Sequence, residues 1–339
     1  MSQPPVRIAI NGFGRIGRAI LRIILQGRKD IELVLINEIE PLETCAYLFE
    51  YDSVYGVFPG LIETAPGALI VAGRRIAFHS VPDLRQLDLS RVDLVLECTG
   101  MAGKRAMAAR GIEAGAGAVL VSGPAAEADV TLVLGANEET LAGQDVISNA
   151  SCTTNALAPL ARLLDEAFGI VSGQMTTVHC YTGSQPTVDK PRGALERSRA
   201  AALSMVPTTT SARGQMERVL PALARRIETR AIRVPTASVS CIDLVVQTER
   251  AVTVAMVNDV LRDAAESGPY AGVFGWTGRP LVSSDLHARP ESIIMCGRET
   301  SVSEGGLCRV FGWYDNEWGF SCRMLDMALR IGAGLRTRV

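Results

Sequence analysis

Cys152 lies in the segment NASCTTNALAPLARLL, residues 149–164, between small hydroxyl and amide residues and ahead of an apolar-striped run. A cysteine so placed is either a buried, inert thiol or a reactive nucleophile. A helix beginning near Thr153 gathers Leu157, Leu160, Leu163, Leu164 and Phe168 on one face, and Ser151 and its neighbours supply capping hydroxyls. Cys152 would then sit at the positive end of a helix dipole, where a thiolate is stabilised and its pKa falls. Thiolate chemistry also calls for a base, and the chain holds only His79, His179 and His287. His179 falls inside TTVHCYT, a β-type run that would hold the ring rigidly, 27 residues after the cysteine. His79 lies upstream in RRIAFHS and His287 in an apparent loop, so His179 is the expected base and Cys152 the expected nucleophile. Cys180 should face the other side of the strand and serve packing. Cys45, Cys98, Cys241, Cys296, Cys308 and Cys322 are read as packing too.

The second chemical feature is NGFGRIGR, residues 11–18, which contains G-x-G-x-x-G at Gly12, Gly14 and Gly17. It follows a β run and opens a helical one, the context of a dinucleotide fingerprint. Gly12 permits the tight turn, Gly14 lets the backbone approach a pyrophosphate, and Gly17 lets helix and strand pack closely. The helix N-terminus then offers N–H groups to the phosphates. Glu38 ends the second β run, 21 residues beyond Gly17, where an acid accepts hydrogen bonds from the adenosine ribose. A carboxylate there repels a 2′-phosphate and favours NAD over NADP, although Lys190 and Arg192 could offset it if their loop reached the pocket. A cysteine nucleophile beside a nicotinamide suggests one reaction. The thiolate adds to an aldehyde, the hemithioacetal gives up hydride while His179 takes its hydroxyl proton, and water or phosphate intercepts the thioester.

These groups must be positioned by a fold, and the chain is long enough for two domains at 339 residues. In the first half, β runs at Val6–Ile10, Glu32–Ile36, Asp93–Glu97, Ala118–Val121 and Thr131–Leu134 alternate with helical patterns at Arg15–Leu25 and Lys104–Ala114. That alternation predicts an α/β, Rossmann-type parallel-sheet domain over residues 1–150. From there the β runs lengthen, at Met175–Tyr181, Ala231–Thr248 and Cys308–Tyr314, which predicts an α+β catalytic domain with a mainly antiparallel sheet over residues 151–316. A C-terminal helix within 317–339, patterned over Trp318–Leu335, would pack back on the first domain. Segment 182–215 lacks periodicity, and an ordered loop of that length is usually functional. The charge balance, 34 basic against 36 acidic residues, argues against a nucleic-acid or membrane-surface binder. Eight scattered cysteines without a CxxC pair fit neither a zinc site nor a disulfide framework. With no secretory pattern and no apolar run long enough for a membrane span, the expectation is a reduced, soluble, cytoplasmic protein without a metal.

NGFGRIGR, SNASCTTN, TTVHCYT, RVPTASVS and WYDNEWG, in this order and spacing, make the chain resemble phosphorylating glyceraldehyde-3-phosphate dehydrogenases from about Val6 to Gly332. The resemblance implies a glycolytic oxidoreductase that converts D-glyceraldehyde 3-phosphate, NAD and inorganic phosphate to 1,3-bisphosphoglycerate through a Cys152 thioester, with His179 as base. It implies cofactor contacts from Asn11, Gly12, Phe13, Gly14, Arg15, Ile16, Gly17, Asn37, Glu38, Thr99, Gly100, Ser122 and Asn316. Asn316 would orient the nicotinamide carboxamide, and Glu38 stands where aspartate is usual. Thr182 and Arg197 would hold the substrate phosphate. Ser151, Thr153, Thr210 and Arg233, with Ser211 alongside, would hold the inorganic or migrating phosphate, a sensible use of arginine and hydroxyl groups. A homotetramer whose long loop crosses a subunit interface is implied as well.

Some positions depart from the family pattern. Ser184 replaces an acid or threonine, Ser211 replaces a glycine, and Pro186, Lys190, Arg192 and Arg213 stand in an unusually basic loop region. These positions bear on cofactor preference and acyl acceptor. Erythrose-4-phosphate dehydrogenases share the glutamate at the ribose position but typically lose the threonine represented by Thr182. A paralogue adapted to arsenate as acceptor is motivated by Ser211. A non-enzymatic scaffold would predict loss of Cys152, His179 or an anion-binding arginine, and aspartate-semialdehyde-type dehydrogenases lack the SCTTN…TTVH constellation.

Overall fold

VRIAIN and IELVLIN are short runs rich in β-branched residues, and they form the parallel strands Val6–Asn11 and Ile31–Asn37. Between them runs the helix Arg15–Leu25, which buries Ala19, Ile20, Leu21, Ile23 and Ile24. The structure, a computed structural model, describes residues 4–336 and divides into two compact units. The first unit takes the chain up to Leu132, Glu139–Ala150 and the segment from Ser321 onward. Its sheet runs Val130–Thr131, Val146–Ser148, Ala118–Val121, Leu94–Glu97, Val6–Asn11, Ile31–Asn37, Arg74–His79, Ala68–Val71, Ile62–Ala65. The first seven strands are mutually parallel, and Leu94–Glu97 and Ile31–Asn37 flank Val6–Asn11 on opposite sides. Chain order therefore reverses at this strand, the switch point where open α/β sheets open a ligand crevice at their carboxyl ends. This is the Rossmann-type parallel-sheet domain.

Two local features differ from the sequence reading. The last three strands form an antiparallel meander whose turns are the two-residue pairs Pro66-Gly67 and Ala72-Gly73. Ala72 and Gly73 both have positive φ, 48° and 77°, as a tight hairpin turn of matching twist requires. The expected helix over Lys104–Ala114 is two short helices, Arg105–Ala108 and Arg110–Glu113. The C-terminal helix is Trp318–Arg336, and residues 337–339 of the expected span lie outside the described residues. Within the first unit, Arg336 donates to the Pro5 carbonyl at 2.9 Å, and a Cβ on Gly332 would meet Val6 at 2.6 Å.

The second unit comprises Val133–Glu138 and Ser151–Phe320. The short first piece is tied in locally, because Arg162 donates to the Ala136 carbonyl at 2.7 Å and a Cβ on Gly135 would meet Pro159 at 3.2 Å and Tyr270 at 3.3 Å. The sheet order is Val206–Thr208, Ile227–Val234, Ile170–Cys180, Ser240–Thr248, Leu307–Tyr314, Ile293–Cys296, Phe274–Thr277. It is mainly antiparallel, with two parallel pairs, one of which joins Ile170–Cys180 to Ile227–Val234. The long β run Ala231–Thr248 thus becomes two strands, broken at 235–239, with Ile170–Cys180 lying between them. That insertion sets the register His179 opposite Arg233. The helix Cys152–Phe168 buries Leu157, Leu160, Leu164 and Phe168 in the same unit. Among the described residues, no helix is long and apolar enough to cross a membrane, and all eight cysteines are free.

Candidate functional site

In the second unit the helix begins at Cys152 itself, with Ser151 as its N-cap accepting from the Thr154 N–H at 3.1 Å. The preceding Ala150 has φ 55°, a left-handed backbone that costs a non-glycine residue energy and often marks a functional turn. Cys152 Sγ lies 3.5 Å from His179 Nε2. The other ring nitrogen, Nδ1, is 2.7 Å from the Cys180 carbonyl and 2.8 Å from Arg233 Nη1. Arg233 Nη1 also donates to that carbonyl at 2.9 Å, so the arginine is satisfied without the ring. An Nδ1–H donated to the Cys180 carbonyl leaves the Nε2 lone pair facing the sulfur, the tautomer of a base.

The electrostatics correct one expectation. Burial pushes the Cys152 thiol up, and the opposing influences of Arg233, the Thr153 hydroxyl and the N–H groups of Thr153 and Cys152 do not cancel it. A helix terminus contributes about 0.3–1 kcal/mol, less than desolvating a charge can cost. His179 is driven down to about 3, first by burial and then by Arg233. Neither group ionises easily alone, whereas proton transfer between them creates mutually stabilising charges 3.5 Å apart.

A hydroxyl chain braces this pair. The Tyr314 hydroxyl bonds Thr153 Oγ1 at 2.9 Å and Thr177 Oγ1 at 2.7 Å, and Thr177 donates to the Cys241 carbonyl at 3.0 Å. Cys180 is not simple packing. Its Sγ is 3.9 Å from His179 Nδ1 and donates to Asn316 Oδ1 at 3.1 Å. The polar WYDNEWG segment, not an apolar core, lies against that side of the strand. Sequence reasoning missed Tyr314 and Ser240 as well, because their meeting with Thr177 and Cys180 depends on strand register.

The remaining anion-site candidates are more exposed. Thr182 bonds Ser184 at 2.9 Å, Arg197 donates to Thr208 Oγ1 at 2.8 Å and the Thr209 carbonyl at 2.9 Å, and Thr210 Oγ1 accepts from the Ala212 N–H at 3.2 Å. Ser211 is exposed at φ −66°, a conformation open to any residue, and its hydroxyl makes no hydrogen bond among the described residues. None of these hydrogen bonds joins them to the Cys152–His179 pair.

In the first unit, the ends of three neighbouring strands carry Asn11, Asn37 and Glu97 in register. Asn37 donates to Asn11 Oδ1 at 2.8 Å, and Asn11 in turn donates to Glu97. Glu97 also accepts from the Thr99 N–H at 3.0 Å, and burial pushes its carboxyl up. Glu97 was not anticipated; its signal was an acid ending the strand beside the fingerprint strand. Above this network lies a cavity of about 390 Å³, lined by Asn11, Gly12, Gly14, Asn37, Glu38, Thr99 and others. Phe13, Arg15, Ile16, Gly17, Gly100 and Ser122 do not line it. Phe13 is buried, Arg15 pairs with Asp52 and stacks over Tyr55, and the Ser122 N–H donates to the Glu97 carbonyl. Glu38 is pinned, one oxygen accepting from the Phe13 N–H at 2.7 Å and the other from Ile39 at 2.7 Å.

The glycines fit a bound dinucleotide. A Cβ on Gly12 (φ 93°) would meet Thr99 N at 2.6 Å, and one on Gly17 would meet the Gly12 carbonyl at 2.4 Å. Both are required by packing. A Cβ on Gly14 would meet nothing within 4 Å, so the open space at the helix start is what its missing side chain preserves.

Comparison with known proteins agrees with both halves. Residues 6–105 match the glyceraldehyde 3-phosphate dehydrogenase NAD binding domain, and residues 151–316 match the C-terminal domain of the same family. The chain is 47% identical to the glyceraldehyde-3-phosphate dehydrogenase of Cereibacter sphaeroides over 329 residues, 96% of this chain and 98% of the relative. It is 48% identical to that of Xanthobacter flavus over 331 residues, 96% and 98% of the two chains. With that of Pseudomonas aeruginosa it shares 46% identity over 333 residues, 97% and 98%. The chain belongs to the glyceraldehyde-3-phosphate dehydrogenase family and is a nicotinamide-dinucleotide-dependent oxidoreductase.

Proposed function

We propose that this enzyme oxidises D-glyceraldehyde 3-phosphate with NAD and inorganic phosphate, and that the acyl group passes through a thioester on Cys152. The carrying observation is the 3.5 Å approach of Cys152 Sγ to His179 Nε2, with Arg233 against the far side of the ring. The pocket residues Asn11, Gly12, Gly14, Asn37, Glu38 and Thr99 would hold the dinucleotide, and Asn316 its carboxamide. When bound, the nicotinamide supplies the hydride acceptor.

His179 and Cys152 carry the proton chemistry. As Sγ bonds the aldehyde carbon, its proton passes through Nε2 to the carbonyl oxygen, giving a hemithioacetal. Nε2 then takes the hydroxyl proton as hydride leaves the same carbon, so a thioester and an imidazolium remain. Phosphate oxygen attacks the thioester carbon, the C–S bond breaks, and Nε2–H returns its proton to sulfur. Thr153 and the first-turn N–H groups act on the sulfur itself. Ser151, Thr153, Thr210, Ser211 and Arg233 would hold the inorganic or migrating phosphate, with Thr182 and Arg197 for the substrate's own phosphate.

NAD is favoured over NADP because pinned Glu38 cannot swing away from a 2′-phosphate. The loop 182–215 exposes Val188, Leu195, Leu203 and Met205 by 72–87%, which supports burial against another subunit of a homotetramer. The test is a steady-state matrix of glyceraldehyde 3-phosphate and erythrose 4-phosphate, NAD and NADP, and phosphate, arsenate or water as acceptor. The expected winner is the three-carbon aldehyde with NAD and phosphate. A higher kcat/KM for erythrose 4-phosphate refutes the substrate assignment, and full turnover without an oxyanion refutes the acceptor site.

A further inference from the structure

Asn316 makes its side-chain hydrogen bonds, among the described residues, through Oδ1 alone. The oxygen accepts from Cys180 Sγ at 3.1 Å and from Ser240 Oγ at 3.4 Å. Ser240 Oγ in turn accepts from the Cys180 N–H at 3.2 Å, which leaves its hydroxyl proton to point at Asn316. Cys180 is fully buried and Ser240 is 1% exposed, so neither donor can turn to water instead. The backbone on either side is fixed too. Asp315 caps the following helix, accepting from Glu317 and Trp318 at 3.0 and 2.8 Å and from Ala288 at 2.9 Å. Val239, next to Ser240, holds φ 53°, a left-handed conformation that a β-branched residue adopts only under constraint.

A side-chain amide is symmetric in shape and can flip by 180°, exchanging a donor end for an acceptor end. Two buried donors aimed at one atom remove that freedom. Rotated the other way, the amide would set N–H donors against a thiol and a hydroxyl that need an acceptor. We infer that Cys180 and Ser240 are positioning residues that lock the Asn316 amide with its oxygen inward, so that it offers only N–H donors to the nicotinamide carboxamide. This rests on the reading of Asn316 as the carboxamide ligand. It specifies the polarity of that contact: Asn316 Nδ2 donates to the carboxamide oxygen and does not accept from the carboxamide nitrogen. Cys180 stays a donor at working pH, because burial raises its thiol to about 12.

Two dinucleotide analogues separate the polarities. The 3-acetylpyridine analogue keeps the carbonyl and lacks the NH2, and the thionicotinamide analogue keeps the NH2 and replaces the carbonyl by a weak acceptor. Equilibrium dissociation constants are measured by calorimetry for NAD, both analogues and ADP-ribose, which lacks the nicotinamide. The wild-type enzyme should bind the acetylpyridine analogue within about twofold of NAD and the thio analogue about three- to tenfold more weakly, the worth of one hydrogen bond. In Cys180→Ala/Ser240→Ala the thio penalty should fall to within about twofold, whereas Cys180→Ser, which keeps a donor, should retain the wild-type pattern. The inference is overturned if the double variant keeps the wild-type ratio, if the acetylpyridine analogue carries the penalty, or if ADP-ribose binding falls in parallel. Asn316→Ala separates the two layers. If that substitution leaves every dissociation constant unchanged, Asn316 is not the carboxamide ligand; if it weakens NAD while the double variant behaves as wild type, only the positioning role fails.

Discussion

Substituting alanine for Gly14 and for Gly12 should separate binding from folding within one eight-residue segment. At Gly14, φ −74° and ψ −156° are open to any residue, and an added Cβ meets no protein atom within 4 Å. Alanine at this N-cap loses a little capping preference, and the unfolded chain loses entropy worth about 0.4–1 kcal/mol. The two offset, and apo stability should stay within about 0.5 kcal/mol of wild type. The methyl nevertheless occupies the space at the helix start, so one charge-assisted hydrogen bond to the pyrophosphate is lost. At about 1.5–3 kcal/mol this raises the dinucleotide dissociation constant about 10- to 150-fold.

Gly12→Ala should do the reverse first. Its φ of 93° costs an alanine about 1–3 kcal/mol, and a Cβ 2.6 Å from Thr99 N forces backbone movement costing about as much again. Apo stability should fall by about 2–6 kcal/mol. Urea denaturation followed by circular dichroism and titration calorimetry with NAD and ADP-ribose measure both quantities. Gly14→Ala binding NAD within threefold of wild type refutes the placement of the pyrophosphate, and Gly12→Ala as stable as wild type refutes the packing argument.

Cys152→Ser should abolish phosphate-dependent NAD reduction, and His179→Asn should lower kcat about 10²- to 10⁴-fold; robust turnover in either removes that residue from the mechanism. Glu38→Ser should raise the NADP-to-NAD ratio of kcat/KM about 5- to 150-fold, from about 1–3 kcal/mol of relieved repulsion, and an unchanged ratio would show that the carboxylate does not face the ribose. Because His179 falls to about 3 in the folded protein, against about 6.5 unfolded, its contribution is intact above pH 6.5 and lost as pH drops, since the unfolded chain takes up the proton first. The stability difference between wild type and His179→Asn should therefore shift toward the variant between pH 6.5 and 4, and parallel stability curves would refute a buried neutral ring.

What was legible in the sequence was whatever depended on neighbours along the chain. The fingerprint glycines, the strand–helix alternation and the capped helix at Cys152 are all local, and the structure has them where the patterns put them. Long-range register was not legible. Arg233 faces His179 because a parallel pair aligns residues 54 apart in sequence, and that pairing needs Ile170–Cys180 inserted between two strands that read as one run. Glu97 meets Asn11 for the same reason. Alternation predicted Cys180 as packing on the opposite face, yet its Sγ lies 3.9 Å from His179 Nδ1 and donates to Asn316, a polar setting that only the fold assembles. The cysteine itself shows how local reasoning misjudged a magnitude. A helix terminus is visible in sequence and worth a fraction of a pKa unit, whereas burial is set by the whole fold and outweighs it. The helix start thus matters less as a source of a free thiolate than as a fixed mount, holding sulfur 3.5 Å from the nitrogen to which its proton must go.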